Sequence, residues 1–422
     1  MMDDLEQRLR AALVEEAAAA PQPGLLPGPV RAIPSRRSRG WHVGAAVTVG
    51  ALVAGVMVTA NTLLNNSPPD ARVAVARPAS PDVGVQRLTK SPLEPRETAG
   101  TVWTGQSVVV WGGEGGEKDN DRLFGDGAEY DPASRSWSIL PQSPLSARRC
   151  PAVTWSGRYV FVWGGQDGDG RELLDGALYD PSTRAWQAVP SAPEGRGCAK
   201  GISSGDGKVF LVSGSRQQGP NPRAAGILLF DFNTRMWTSV TQPDDVYDAA
   251  LVADQLYLVT MDPASGVVKV DRRGGVGRME RLPDPPVKAR PDFLGIFKRS
   301  DDDIQLMTTA GDETLIHGLK DGRWERRASI PADKLTAPTA VFGEPGALAM
   351  GVIDGSLIGL GRAKASIVDG TGDVVSVDLP QYCGAAAASV VTDSELFVWS
   401  GQDCLASKGR RHVSDGYQVT VR

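Results

Sequence analysis

Arg96, Arg148 and Arg196 each stand two residues ahead of the column Thr98, Cys150, Cys198, and Arg290 falls at a comparable point further along. A guanidinium offers five donors in a rigid fork, so several of them around one rim would suit a carboxylate- or phosphate-bearing ligand, an acidic glycan included. The segments beside them are acidic: EGGEKDNDRLFGD over 114–126 and QDGDGRELLD over 166–175. The same residues allow a structural account, in which the arginines pair with these loops and hold the chain in place. Asp167 and Asp169, in Asp-Gly-Asp-Gly, have the form of part of a calcium loop, but the remaining ligands of such a loop are missing and a turn explains them as well.

Other chemistry is thinly supplied. There are three histidines, His42, His317 and His412, too few to expect a copper or zinc centre, and no cofactor is implied. No phosphate-cradling glycine loop opens a helix, and no nucleophile elbow is present. The four cysteines, Cys150, Cys198, Cys383 and Cys404, all lie in the C-terminal part, an even number that suits disulfides in an oxidising compartment. Three connectivities are open. Cys150 with Cys198 and Cys383 with Cys404 keeps both pairs local, and free thiols are the alternative.

Such residues need a scaffold, and composition narrows it. The chain has 422 residues, 41% hydrophobic and 23% charged, with 45 basic against 50 acidic side chains and a formal net charge of −5. That is ordinary globular composition, which excludes wholesale disorder and a multi-span membrane protein. No long basic run interleaved with aromatics exists, so nucleic acid is not an expected partner. Gly 49 and Pro 30 are spread along the chain and demand frequent turns.

Charge placement predicts a membrane tether. Residues 42–64 contain no charged side chain, and VGAAVTVGALVAGVMVTA over 43–60 is long enough to span a bilayer core. Arg31, Arg36, Arg37 and Arg39 precede it and Trp41 sits at its edge, which puts residues 1–41 in the cytoplasm and the rest outside a bacterial cytoplasmic membrane. A cleaved export signal is the competing reading, since Val58-Thr59-Ala60 fits a cleavage site and Ser35-Arg36-Arg37 fits part of a twin-arginine pattern. Leu5, Leu9, Ala12 and Leu13 share one face of a short N-terminal helix. It is either a surface helix or, over residues 3–20, a dock for a cytoplasmic partner. Residues 65–82, rich in proline and alanine, read as a linker of up to roughly 50 Å if extended.

From residue 83 to 422 the sequence repeats. VVVWGG at Val108 is followed by Tyr130-Asp131-Pro132-Ala133-Ser134-Arg135-Ser136-Trp137, and VFVWGG at Val160 by Tyr179-Asp180-Pro181-Ser182-Thr183-Arg184-Ala185-Trp186. A third copy runs VFLVSG at Val209, then Phe230 to Trp237. Tryptophans fall in columns: Trp103 and Trp155; Trp111, Trp163 and Trp399; Trp137, Trp186, Trp237 and Trp324. A period of about 50 residues with four short strands per unit marks propeller blades. The apolar strand, Gly-Gly, and Tyr-x6-Trp resemble the kelch repeat. The resemblance is strong over 96–240, weak over 247–380, and returns at Phe397-Val398-Trp399-Ser400-Gly401.

The expected fold is therefore all-β, a seven-bladed kelch-like propeller preceded by one transmembrane helix and a short cytoplasmic helix, with six or eight blades as the alternative because the middle copies are degenerate. Six repeats close with fourth strands ending near Leu140, Val189, Val240, Leu282, Ala328 and Leu379. The seventh lacks its outer strand, and Val85-Gln86-Arg87-Leu88 matches the missing piece, so the N-terminal strand should close the wheel. The kelch resemblance implies an interaction platform, here for an envelope ligand or protein partner. The alternatives are a carbohydrate-active enzyme similar to the kelch-type sialic-acid mutarotases, and a sensor signalling through the N-terminal helix. No catalytic constellation is assembled by these residues.

Overall fold

The computed structural model describes residues 82–421 apart from 116–121, 214–225, 241–244, 263, 275–278, 289–290, 292, 300–302, 332–349, 354–355, 362–363, 369–373, 380–386 and 402–411. The chain divides into Met1–Ala74 and Val75–Arg422, and every described residue belongs to the second unit. The expected cytoplasmic helix, membrane helix and nearly all of the linker lie outside the described residues. Among those described, no helix is long and apolar enough to cross a membrane.

The fold is an all-β propeller, and the described strands form seven four-stranded antiparallel sheets and one two-stranded ribbon. Sheet 1 runs Gly100–Trp103, Val108–Trp111, Gly127–Asp131, Ser136–Ile139; sheet 2, Ala152–Trp155, Val160–Trp163, Gly176–Asp180, Ala185–Val189. Sheet 3 is Ala199–Ser204, Lys208–Ser213, Ile227–Asp231, Met236–Val240; sheet 4, Asp245–Val252, Gln255–Met261, Val268–Gly274, Glu280–Arg281. Sheet 5 is Phe293–Lys298, Ile304–Ala310, Glu313–Lys320, Arg323–Pro331; sheet 6, Met350–Ile353, Ser356–Gly361, Lys364–Val368, Val374–Asp378. Sheet 7 takes three strands from the C-terminus, Ala388–Val391, Glu395–Trp399 and Gly416–Val421, and its outer strand, Val83–Arg87, from the other end. Val83 pairs with Val421 and Arg87 with Tyr417. The first strand of each sheet lies against the first strand of the next, and Ala388–Val391 lies against Gly100–Trp103, so the seven first strands form a closed inner ring.

Burial explains the strand sequences. Second strands such as VVVW, VFVW and ELFVW are buried at every position. A sheet flanked on both faces has no solvent side, so its middle strands lose the polar alternation. Outer strands are mostly exposed, with the tryptophan half-buried among exposed neighbours, as in SWSI and AWQAV.

Adjacent sheets are joined by a recurring clamp. Trp137 packs on Trp399 and Phe397, Trp186 on Trp111, and Trp237 on Trp163, each reaching back to the second strand of the sheet before, with ring centroids 5.3–6.2 Å apart. Their indole N–H groups donate to Thr89, Pro141 and Pro190 carbonyls, and Trp324 does the same to Pro283. In the turn before each of the first three tryptophans, Asp131, Asp180 or Asp231 accepts backbone N–H groups two or three residues on. That turn ends on Arg135, Arg184 or Arg235 at φ 53–58°, and these arginines donate to Arg87, Ile139 and Ala188 carbonyls of the preceding outer strand. The seam made by the N-terminal strand thus carries the same contacts as those between sheets 1, 2 and 3.

Sheet 5 contains a buried histidine, His317, at a register break where Ile316 pairs with Ala328 and His317 with Arg326. Burial, and then the Arg326 charge, holds its pKa below the ordinary 6.5. The folded protein keeps this imidazole neutral while the unfolded chain takes up a proton, so its contribution is intact above about pH 6.5 and is lost as pH falls. Urea unfolding between about pH 7 and pH 5 should show stability declining, and His317→Gln should flatten that decline; an unchanged slope would exclude His317 as its source.

Candidate functional site

The loops leading into the first strands and those joining second to third strands meet on one face. Gly113 and Gly165 make the meeting possible: at φ 101° and 85°, a Cβ would stand 2.6 Å from the Glu97 and Arg149 carbonyls respectively. Backbone pairs then form reciprocally between Glu97 and Glu114, and between Arg149 and Gln166.

The arginine column turns inward. Arg96 and Arg148 have fully buried side chains, and Arg196 is 8% exposed. Arg148 donates to both Asp175 oxygens at 2.8 and 3.0 Å, to the Gly164 carbonyl at 3.1 Å and to Ser146. Arg96 repeats this with Asp126, the Gly112 carbonyl and the Glu94 carbonyl, and lies 3.9 Å over the Phe124 ring. Arg196 reaches the Gly226 carbonyl and Glu194. Each therefore ties the loop before a sheet's first strand to the turn after its second. The hydrogen bond from Arg148 holds the Asp175 carboxyl below the usual carboxylate range, against the opposing effect of burial. Fully buried guanidinium groups do not meet a ligand, and the structural account of Arg96 and Arg148 is the one the geometry supports.

Asp167 accepts the N–H groups of Asp169 and Arg171, closing a turn, and Asp169 pairs with Arg171 at 2.7 Å. No group of metal-ligating side chains is found among the described residues. Cys150 and Cys198 form a disulfide between sheets 2 and 3. Arg290, Cys383 and Cys404 lie outside the described residues.

The residue next to the column, Arg149, does not repeat from sheet to sheet. Arg149, next to the fully buried Arg148, is 36% exposed. Its Nε donates to Gln166 Oε1 at 3.1 Å and its Nη1 to Glu114 Oε2 at 3.2 Å, which joins sheets 1 and 2 across the loop face. Two of the five guanidinium N–H groups are thereby engaged, and for the rest, including both on Nη2, no acceptor is found among the described residues. Gly170 stands beside them, where a Cβ would lie 3.7 Å from Nη2. Nearby, His412 and Glu97 stand 3.6 Å apart across the seam between sheets 7 and 1, 1% and 5% exposed. Further round the ring, a register shift between Val246 and Asp248 aims the Asp248 carboxylate at three groups. These are Lys200, the Ala249 N–H and the Ile296 N–H, so it ties the first strands of sheets 3, 4 and 5.

No protein-family model matches the chain, and no curated protein matches it. Among solved structures it is similar to one described as "Structure of YjhT", with 17% identity and a TM-score of 0.45 over 79% of this chain and 99% of the other.

The two adjacent arginines should separate cleanly in urea unfolding. Arg148→Ala strands the Gly164 carbonyl and should cost on the order of 2–3 kcal/mol. Arg149→Ala, on the surface, should cost within about 0.5 kcal/mol. Equal costs would contradict the inward and outward assignment.

Proposed function

We propose that this chain is a membrane-tethered, seven-bladed, kelch-like propeller displayed on the outer side of a bacterial cytoplasmic membrane, where its loop face binds an envelope ligand or protein partner without turning it over. The observation that carries the binding role is the surface trio Glu114, Arg149 and Gln166, in which a held guanidinium keeps donors free for a guest. A carboxylate, a cation and an amide on one patch match a ligand with both donors and acceptors, such as a glycan or a peptide backbone.

Three further observations support parts of this reading. Seven sheets with a closed inner ring support the blade count. The glycine pairs, the tyrosine or phenylalanine and the clamp tryptophans support the kelch likeness. The Cys150–Cys198 disulfide fits an oxidising compartment, as expected beyond a membrane segment at 42–64. Residues 3–20 then face the cytoplasm, where a partner would engage them. The enzyme alternative is less well served, because Glu97 and His412, the acid–base pair nearest the trio, are buried from any substrate.

Two experiments test the proposal. Alkaline phosphatase fused after Arg422 should be active in cells and inactive when fused after Gly40; the reverse pattern would overturn the orientation. Purified protein should retain members of a panel of envelope glycans and peptidoglycan fragments, and Arg149→Ala should weaken that binding about 10- to 100-fold, the worth of a charged hydrogen-bonded contact. Turnover of a bound glycan, or binding indifferent to Arg149, would reject the role assigned to the trio.

A further inference from the structure

We infer that the Cys150–Cys198 disulfide is a reducible staple that sets the geometry of the loop face, and that the wheel does not depend on it for its fold. The inference deepens the binding reading, because the residues it would move are those of the trio.

The backbone at this column forms without sulfur. Thr98, Cys150 and Cys198 all adopt φ 54°, and the Cys150 N–H donates to the Thr98 carbonyl at 2.9 Å just as the Cys198 N–H donates to the Cys150 carbonyl at 3.0 Å. Between sheets 1 and 2 this bond stands with a threonine on one side and no disulfide. The seam between sheets 2 and 3 also keeps its own fastenings away from the cysteines. Phe161 stacks on Phe230 at 5.5 Å, Trp163 packs on Trp237 at 5.3 Å, and Arg235 and Trp237 donate to the Ala188 and Pro190 carbonyls. Seams 1–2 and 2–3 thus share one set of clamps, and the second adds a covalent bond.

That bond touches the candidate site on both sides. Arg149 precedes Cys150, and Gly197 precedes Cys198. The Gln166 side chain, which accepts from Arg149, lies against Gly197 so closely that a Cβ there would be 2.7 Å from Nε2. The distance from Cys150 to Cys198 therefore fixes how the Arg149–Gln166 pair sits on the edge of sheet 3. Both cysteines are half-buried, which leaves a path for a small reductant. Reduction by a dithiol transfers two electrons and two protons: the S–S bond breaks, two thiols form, and the reductant leaves as its own disulfide. The sheets stay clamped while the loop face gains freedom.

The test is hydrogen exchange on the full-length chain in detergent micelles, oxidised, reduced with dithiothreitol, and as the Cys150→Thr/Cys198→Thr variant that copies Thr98. In the last two states the amides of Cys198 or its replacement, Gly165 and Gln166 should exchange at least tenfold faster, while Val160–Trp163 and Ile227–Asp231 keep their protection. Binding of the same glycan panel should weaken in parallel if the trio is the site; altered exchange with unaltered binding would reject the trio and leave the staple standing. Loss of protection across all sheets, unchanged loop-face exchange, or resistance of the folded protein to dithiothreitol would each overturn the inference.

Discussion

The structure depends on the contact between an outer-strand tryptophan and the sheet before it. A lone four-stranded sheet with two apolar faces is insoluble in isolation, and each such face here is covered only by a neighbour. In sheets 1, 2, 3 and 5 an outer-strand indole supplies part of that cover, and its N–H bonds a carbonyl just beyond the preceding outer strand. Removing one such ring would cost about 3 kcal/mol or more by loss of packing alone. Because every sheet needs a predecessor, the series is satisfied only when the last sheet becomes the predecessor of the first. Val83–Arg87 does this: it completes sheet 7 and offers the carbonyls of Arg87 and Thr89 to Arg135 and Trp137.

The same logic settles the arginines. An internal guanidinium is costly to desolvate, and burial pulls the pKa of Arg96 down while Asp126 pulls it up. The cost is offset because each arginine satisfies carbonyls of turns that no strand can pair, and it does so where two loops of one sheet must meet. The proposed binding role falls to the outer side of those loops, where Arg149 is held by Gln166 and Glu114 and is 36% exposed. A rigid support with an exposed head is the arrangement expected of a recognition site.

Much of this was readable from residue order. The tryptophan columns, the Asp-Pro-x-Ser/Thr turn and the role of the segment around Gln86 follow from spacing, because each is set by a backbone repeat; for the cysteines spacing left three connectivities open, and the structure shows Cys150 with Cys198. Sheets 4 to 6 were legible only as scattered strands. They lack Gly-Gly, but runs such as QLYLVTM and IQLMTTA are apolar enough to serve as second strands. Spacing does not reveal which of two adjacent arginines faces inward. Arg148 drew notice because it repeats, and it repeats because it is structural; Arg149 breaks the column, and that irregularity was the available sign. The tie made by Asp248 was hidden because a bulge shifts it out of period.

The central claim, that the N-terminal strand closes the wheel, is tested most directly by cross-linking. Val85 and Val419 face each other in a pair flanked by hydrogen-bonded neighbours, the Leu88 N–H bonding the Gly416 carbonyl, and such a pair brings side chains close enough for a disulfide. The account predicts that Val85→Cys combined with Val419→Cys oxidises within one chain, with peptide mapping joining the two positions and unfolding shifted to higher urea. If both introduced thiols instead alkylate freely in the folded protein, the N-terminal strand is not part of the last sheet and the closed wheel is wrong.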